Sequence, residues 1–339
     1  MSSHAALPID ALLPDVAAAL EAHACAVVLA APGAGKTTRI PLHLRDAHWL
    51  NGRKIVMLEP RRLAARMSAL RMANTLGENV GETVGFRVRL ESKVSARTRI
   101  EVVTEGILTR RLQSDPELAD VGLLIFDEFH ERSLDADLGL ALALDIQRAL
   151  RPDLKILVMS ATLDDQAVAT LLGDAPVLAS AHRPFPVETR YLSAPAGDDL
   201  PREMAAAVRR ALAEETGSIL AFLPGEGEIR RTAGLLEDGG LPPGCLVAPL
   251  FGALSPDEQN RAIAPPAPGA RKVVLATTIA ETSLTIEGVR VVIDCGTKRA
   301  PRFDPGRGMT QLVSIRVSRA AAEQRRGRAG RLGPGVCYR

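Results

Sequence analysis

Aromatic residues make up only 3% of this 339-residue chain: one Trp, two Tyr and seven Phe. A surface that grips nucleobases mainly by stacking needs more than that, so such a mode of binding is not expected. Cysteine is as scarce. Cys25, Cys245, Cys295 and Cys337 stand far apart, with no CxxC pair and no His/Cys ligand spacing. That pattern argues against a disulfide framework or a zinc site and for buried, reduced thiols, which points to the cytoplasm. No apolar run is long enough to span a bilayer. The first one, Ala24–Ala31, is short, follows no positive segment and ends in a glycine-rich turn, so no signal peptide is expected. The net charge is only +2, so any polyanion site must be local. Lysine is rare among the cations. Arginine forks match phosphate oxygens, although an arginine-rich genome would give the same bias.

What the chain does have is a repeated α/β pattern. Short β-branched runs alternate with helical periodicity, as parallel sheets with crossover helices require. Strands are expected at Ala26–Ala30, Lys54–Glu59, Val121–Asp127 and Lys155–Ser160. After a proline-rich, aperiodic stretch over Ala175–Pro186 the pattern restarts with Ser218–Leu223, Cys245–Leu250, Lys272–Thr277, Val289–Asp294 and Leu312–Ile315. Prolines hold themselves and their predecessors extended. The stretch therefore reads as a linker over 179–187, between a first domain of 1–178 and a second of 188–339.

The first strand runs into Ala31-Pro32-Gly33-Ala34-Gly35-Lys36-Thr37-Thr38 and then a helix. Glycines let successive backbone N–H groups turn inward around an anion, and the helix N-terminus adds a favourable dipole. Lys36 would reach the β- and γ-phosphates of a nucleotide, and Thr37 would offer its hydroxyl to Mg²⁺. The strict G-x-x-x-x-G-K-[ST] pattern is not met, because its first position is Ala30. As an ordinary turn, however, the loop leaves Lys36 without a reason. Farther on, an apolar strand delivers Asp127-Glu128-Phe129-His130. Asp127 would hold the metal; Glu128 would orient and deprotonate the attacking water and stand near the metal itself. A lone acidic strand end is often just a helix cap, and His130 alone would more often be structural.

Gly33–Thr38, the DEFH run and Gln324-Arg325-Arg326-Gly327-Arg328-Ala329-Gly330-Arg331 together resemble motifs of the DEAH-box helicases. Glu59-Pro60-Arg61-Arg62, Thr104-Glu105-Gly106, Ser160-Ala161-Thr162, Phe222-Leu223-Pro224-Gly225 and the run Ala276–Ile286 follow in that family's order. The resemblance covers the chain from about Leu20. It implies two tandem RecA-like P-loop domains, α/β in class, with mostly parallel sheets and flanking helices. It also implies ATP with Mg²⁺ at an interlobe cleft, and movement 3′ to 5′ on single-stranded RNA with duplex unwinding.

In that family reading Arg328 and Arg331 reach across to the γ-phosphate, Gln324 positions water, and His130 joins the catalytic group. Arg328 and Arg331, at i and i+3, and Gln324 are expected on one helical face. Ser160 and Thr162 couple nucleotide state to strand binding, Ser283 and Thr285 sense nucleotide, and Arg71 stacks on the base. Arg61, Arg62, Thr104 and Thr277 contact the nucleic-acid backbone, which fixes position without reading sequence. Singly, Arg61 and Arg62 read as a solvated face and Thr104 as a helix cap. Segment Lys298–Val313 occupies the place of the family's strand-separating hairpin, where Arg302 and Arg307 face the strand or belong to an ordinary surface hairpin. No upstream glutamine motif is seen, so loose nucleotide selectivity is expected.

Family members continue past the arginine motif into winged-helix and helical domains, whereas this sequence stops at Arg339. On the resemblance it is a fragment or core that retains nucleotide binding. Two alternatives stay open: a DNA-directed helicase, since nothing here reads a 2′-OH, and a nucleotide-gated binding module that does not unwind.

Overall fold

The computed structural model describes residues 6–161, 166–181, 185–192, 199–281 and 286–339. The chain divides into two compact units, Met1–Arg183 and Pro184–Arg339.

The first unit is built on eight strands: β1 (Cys25–Leu29), β2 (Lys54–Glu59), β3 (Val84–Val88), β4 (Glu91–Lys93), β5 (Ile100–Thr104), β6 (Val121–Phe126), β7 (Lys155–Ser160) and β8 (Val177–Ala179). They lie in the order β4-β3-β5-β2-β6-β7-β1-β8. Every pairing is parallel except β3 with β4. Among the described residues six helices accompany them: α1 (Leu13–Ala22), α2 (Lys36–Leu44), α3 (Arg62–Leu76), α4 (Glu105–Ser114), α5 (Leu134–Ala149) and α6 (Gln166–Leu171).

A parallel sheet covered on both faces needs strands that are apolar on both sides. The composition meets that need: β6, Val-Gly-Leu-Leu-Ile-Phe, is buried throughout. Alternate residues then feed opposite cores. Met57, Ile125 and Met159 belong to the core on one face, while Leu58, Phe126 and Val158 belong to the other. The register pairs Leu29 with Ser160, Phe126 with Val158, Leu58 with Phe126 and Glu59 with Thr104. The carboxyl ends of five strands are thus level. Ala30, Ser160, Asp127, Glu59 and Thr104 come to one edge, where open α/β sheets bind their ligands.

The second unit repeats the plan. Its strands are β9 (Val187–Arg190), β10 (Ser218–Phe222), β11 (Cys245–Leu250), β12 (Arg271–Ala276), β13 (Val289–Asp294), β14 (Thr297–Asp304), β15 (Met309–Arg316) and β16 (Gly335–Tyr338). Six of them form a parallel sheet in the order β11-β12-β10-β13-β16-β9, and β14 and β15 form a separate antiparallel hairpin. The helices are α7 (Leu200–Glu214), α8 (Glu226–Asp238), α9 (Pro256–Ile263) and α10 (Arg319–Arg326). Ile219, Ala221, Val273, Leu275, Val291 and Ile293 pack with Met204, Val208 and Leu236 of the helices into its core.

Leu312–Ile315 is a strand as expected, within the longer, exposed β15 of the hairpin. One expectation needs correction. Arg328 and Arg331 are not helical, because α10 ends at Arg326 and Gly327 caps it, its N–H meeting the Glu323 and Arg325 carbonyls. The two arginines lie in the turn that follows. Gly330 there has no room for a Cβ, which would sit 2.5 Å from the Phe185 carbonyl oxygen.

Candidate active site

The loop between β1 and α2 is shaped by Gly33 (φ +90°) and Gly35 (φ +99°), conformations that L-residues rarely adopt. Sequence reasoning missed what braces it. Leu7 and Ile9 pack where a Gly35 Cβ would be, and Ile9 N–H donates to the Ala34 carbonyl at 3.0 Å. Asp10 in turn pairs with Arg39 of α2 at 3.2 Å. The only sequence signal for this brace is Pro8 at the start of a short 3-10 turn. Ala34 is fully buried, and the Thr38 hydroxyl donates to the Gly35 carbonyl at 3.4 Å.

The structure brings Lys36 and Thr37 together with the end of β6. Lys36 Nζ lies 3.0 Å from Glu128 Oε1 and 4.0 Å from Asp127 Oδ1. The Thr37 hydroxyl donates to Asp127 Oδ2 at 2.5 Å, and Glu128 N–H donates to Asp127 Oδ1 at 2.8 Å. Glu128 itself is left-handed (φ +50°), an uncommon state for a non-glycine residue and one that concentrates at functional sites. Lys36, Asp127 and Glu128 are all buried. Burial opposes the Lys36 charge, but Glu128 and Asp127 outweigh it and hold its pKa above the ordinary value. Burial raises Asp127 to about 6, with Lys36 opposing and Glu128 adding to the rise.

Glu59, which has no role in the sequence reading, also faces this group. It is fully buried at the end of β2. Ser68 Oγ donates to its Oε1 at 3.2 Å, and Oε2 has no partner among the described residues. Burial first, then repulsion from Asp127 and Glu128, raises its pKa well above the ordinary value.

His130 Nδ1 accepts from Ala161 N–H at 3.3 Å and stands 3.5 Å from Glu128 Oε2. An acceptor Nδ1 leaves the ring proton on Nε2. This bond joins the carboxylate strand to the end of β7, where Ser160 is fully buried. Thr162 lies outside the described residues.

Arg61, Arg62 and Thr104 sit at the same sheet edge. Arg61 Nη2 meets Glu131 Oε2 at 3.3 Å, Arg62 is exposed, and Thr104 begins α4 without a side-chain cap bond. Arg71 is exposed two turns farther along α3. The oxygens suit Mg²⁺, a hard cation that takes a hydroxyl, one or two carboxylates and substrate phosphates. Accordingly, among the described residues no three His, Cys, Asp or Glu side chains form a metal cage by themselves.

In the second unit Thr277 caps a short 3-10 turn, accepting from Ile279 N–H at 3.5 Å. Ser283 and Thr285 lie outside the described residues. Gln324 is half-buried on α10. Arg328 is buried and donates from Nε to the Glu281 carbonyl at 3.0 Å; Arg331 is half-buried. The sequence reading missed Arg325. It is 1% exposed, 2.6 Å from Asp294 Oδ1 and 3.2 Å from Glu281 Oε2, over the Phe222 ring at 4.8 Å. One interior guanidinium thus meets two carboxylates inside this unit, and Arg328 is tied to the backbone of the same Glu281. A charge run gives no sign that one of its members is interior.

A buried carboxylate pair above a lysine-bearing loop, on a parallel sheet, defines a P-loop nucleotide-binding lobe, and both units have the RecA-like plan. The DEAD/DEAH box helicase model matches residues 15–171, and the helicase conserved C-terminal domain model matches residues 203–333. The chain belongs to the DEAD/DEAH-box helicase family. It is 54% identical over 333 residues to the ATP-dependent RNA helicase HrpB of Escherichia coli K12, covering 97% of this chain and 40% of that protein. It is 39% identical to the pre-mRNA-splicing factor ATP-dependent RNA helicase prp22 of Schizosaccharomyces pombe, covering 98% of this chain and 29% of the relative. Among solved structures, the crystal structure of the E. coli DEAH/RHA helicase HrpB superposes with a TM-score of 0.91 at 52% identity, covering 98% of this chain and 42% of that one. A second, of the E. coli DExH-box NTPase HrpB, gives 0.82 at 51%, covering 100% and 42%. The chain therefore spans well under half the length of these relatives.

Two stability measurements check the buried charges. Arg325→Leu strands two buried carboxylates and is expected to cost the second unit about 3–5 kcal/mol, read by hydrogen exchange. Glu59→Gln should raise the melting temperature. The unfolded carboxyl ionises near 4.5. Its native counterpart holds the proton to higher pH, so Glu59 favours the folded state below the unfolded pKa and loses that contribution as pH rises. The gain from Gln is therefore expected to grow as pH rises above the unfolded pKa. A pH-independent gain would contradict a raised native pKa of Glu59.

Proposed function

We propose that the chain is the motor core of an ATP-dependent RNA helicase: an NTPase that couples hydrolysis to 3′-to-5′ movement on single-stranded RNA and to duplex unwinding. The convergence of Lys36, Thr37, Asp127 and Glu128 at 2.5–4.0 Å carries this reading. Its domains are 1–178 and 188–339, joined by 179–187, and its expected location is the cytoplasm.

Lys36 and Glu128 now neutralise each other. An entering triphosphate would draw the ammonium away, leaving the Glu128 carboxylate to orient and deprotonate water. Thr37 and Asp127 would hold Mg²⁺, which when bound supplies charge neutralisation at the phosphates. Backbone N–H groups of Gly33, Ala34 and Gly35, with Thr38, would cradle the phosphates. Ser283 would sense the nucleotide, and Arg71 would stack on a base read with little selectivity. His130, fixed through Nδ1, holds Glu128's surroundings in place. Arg328 and Arg331 act as guanidinium donors to the transferring phosphoryl group, with Gln324 positioning the water. Arg61, Arg62, Thr104 and Thr277 contact the RNA backbone, and Ser160 and Thr162 link strand to nucleotide.

Turnover measured with poly-RNA, with single-stranded DNA and with neither tests this. RNA is expected to stimulate more than DNA, and Glu128→Gln to lower the rate by about 10²–10⁴-fold. Equal stimulation by DNA would contradict the RNA assignment, and no turnover would remove the motor.

A further inference from the structure

We propose that Glu131 is a positioning residue that makes the carboxylate pair responsive to strand binding. It holds Arg61 until a nucleic-acid phosphate takes the guanidinium. The inference rests on the reading of Arg61 as a backbone contact and adds a partner and a purpose to it.

Glu131 ends the 3-10 turn Phe129–Glu131, which starts directly after Glu128. The turn is rigid for identifiable reasons. Two left-handed residues, Glu128 (φ +50°) and Arg132 (φ +46°), close it at either end. Phe129 is buried and stacks edge-on against Phe126 at 6.3 Å. His130 is fixed by the Ala161 amide. One end of this short lever is therefore the catalytic carboxylate candidate, and the other is Glu131 Oε2 on Arg61 at 3.3 Å. Glu131's second oxygen, Oε1, is buried with no hydrogen-bond partner among the described residues, so the carboxylate is under-satisfied.

The pair is a competitor for what a strand needs. Backbone binding uses the guanidinium donors of Arg61, while the Glu131 charge repels the approaching phosphate. Burial, helped by Asp135 and Glu131, already raises the pKa of nearby Glu105, which shows how acidic the surroundings of Arg61 are. Once a phosphate takes Arg61, Glu131 loses its partner, and the restraint that this ion pair places on the rigid turn leading back to Glu128 is released. A mere structural pair would have no such dependence on RNA.

Glu131→Gln keeps the shape and removes the charge. Its dissociation constant for single-stranded RNA is expected to fall by up to about fivefold, the factor a partly exposed ion pair represents. The ratio of RNA-stimulated to basal turnover should fall at saturating RNA. In an Arg61→Ala background the same change should have no effect on RNA affinity. Unchanged affinity and an unchanged stimulation ratio would overturn the proposal, and so would an equal effect in the Arg61→Ala background. If Arg61→Ala itself leaves RNA affinity intact, the backbone-contact reading of Arg61 fails. If Arg61→Ala weakens binding while Glu131→Gln is silent, only the present inference fails.

Discussion

The buried contact between Lys36 and the carboxylates of Glu128 and Asp127 is the interaction on which the rest of the first unit is organised. A solitary buried ammonium would be prohibitively costly, and so would two buried carboxylates side by side. Together they are tolerable. The pair also stores the site's reactivity, because each group is occupied by the other until a polyanion competes for the lysine. Both partners depend on backbone shapes that most residues resist, Gly35 at φ +99° and Glu128 at φ +50°. The apolar strands supply the rigidity that keeps those shapes, and the brace from Leu7 and Ile9 holds the loop from outside the motif.

The second unit solves a similar problem differently. Its arginine segment is anchored by one interior member, Arg325, whose charge is met by Glu281 and Asp294 and whose face lies on Phe222. Arg328 is tied to the backbone of the same Glu281. The segment that precedes the undescribed residues 282–285 and the arginine turn are thus one structural object.

Much of the fold was legible in the sequence because many of its strands are continuous apolar runs. Lys54–Glu59, Lys155–Ser160 and Val289–Asp294 inside the sheets, and Cys245–Leu250 at the edge of the second, have the limits expected. Strands with mixed composition were not legible. Ile100–Thr104 contains Glu101, a polar residue buried against Arg87 and Arg111, and only that non-local pairing makes the strand possible. The short β16 lies between β13 and β9, and β9 pairs with it from far away in the sequence. The nucleotide loop and acidic strand end were readable from residue type and order, but their partners were not. Glu59, the Leu7–Asp10 brace and the interior Arg325 are all defined by contacts far apart in sequence. The helical-face argument for Arg328 and Arg331 failed because Gly327 ends the helix before either is reached.

The central claim is that Lys36 is engaged by Glu128 and must be released to a triphosphate. Equilibrium binding of a non-hydrolysable Mg²⁺–nucleotide to the Glu128→Gln chain tests it most directly. Removing the competing charge is expected to tighten binding relative to the unmodified chain. Unchanged or weaker binding would contradict the account, because the ion pair would then not be what the nucleotide displaces.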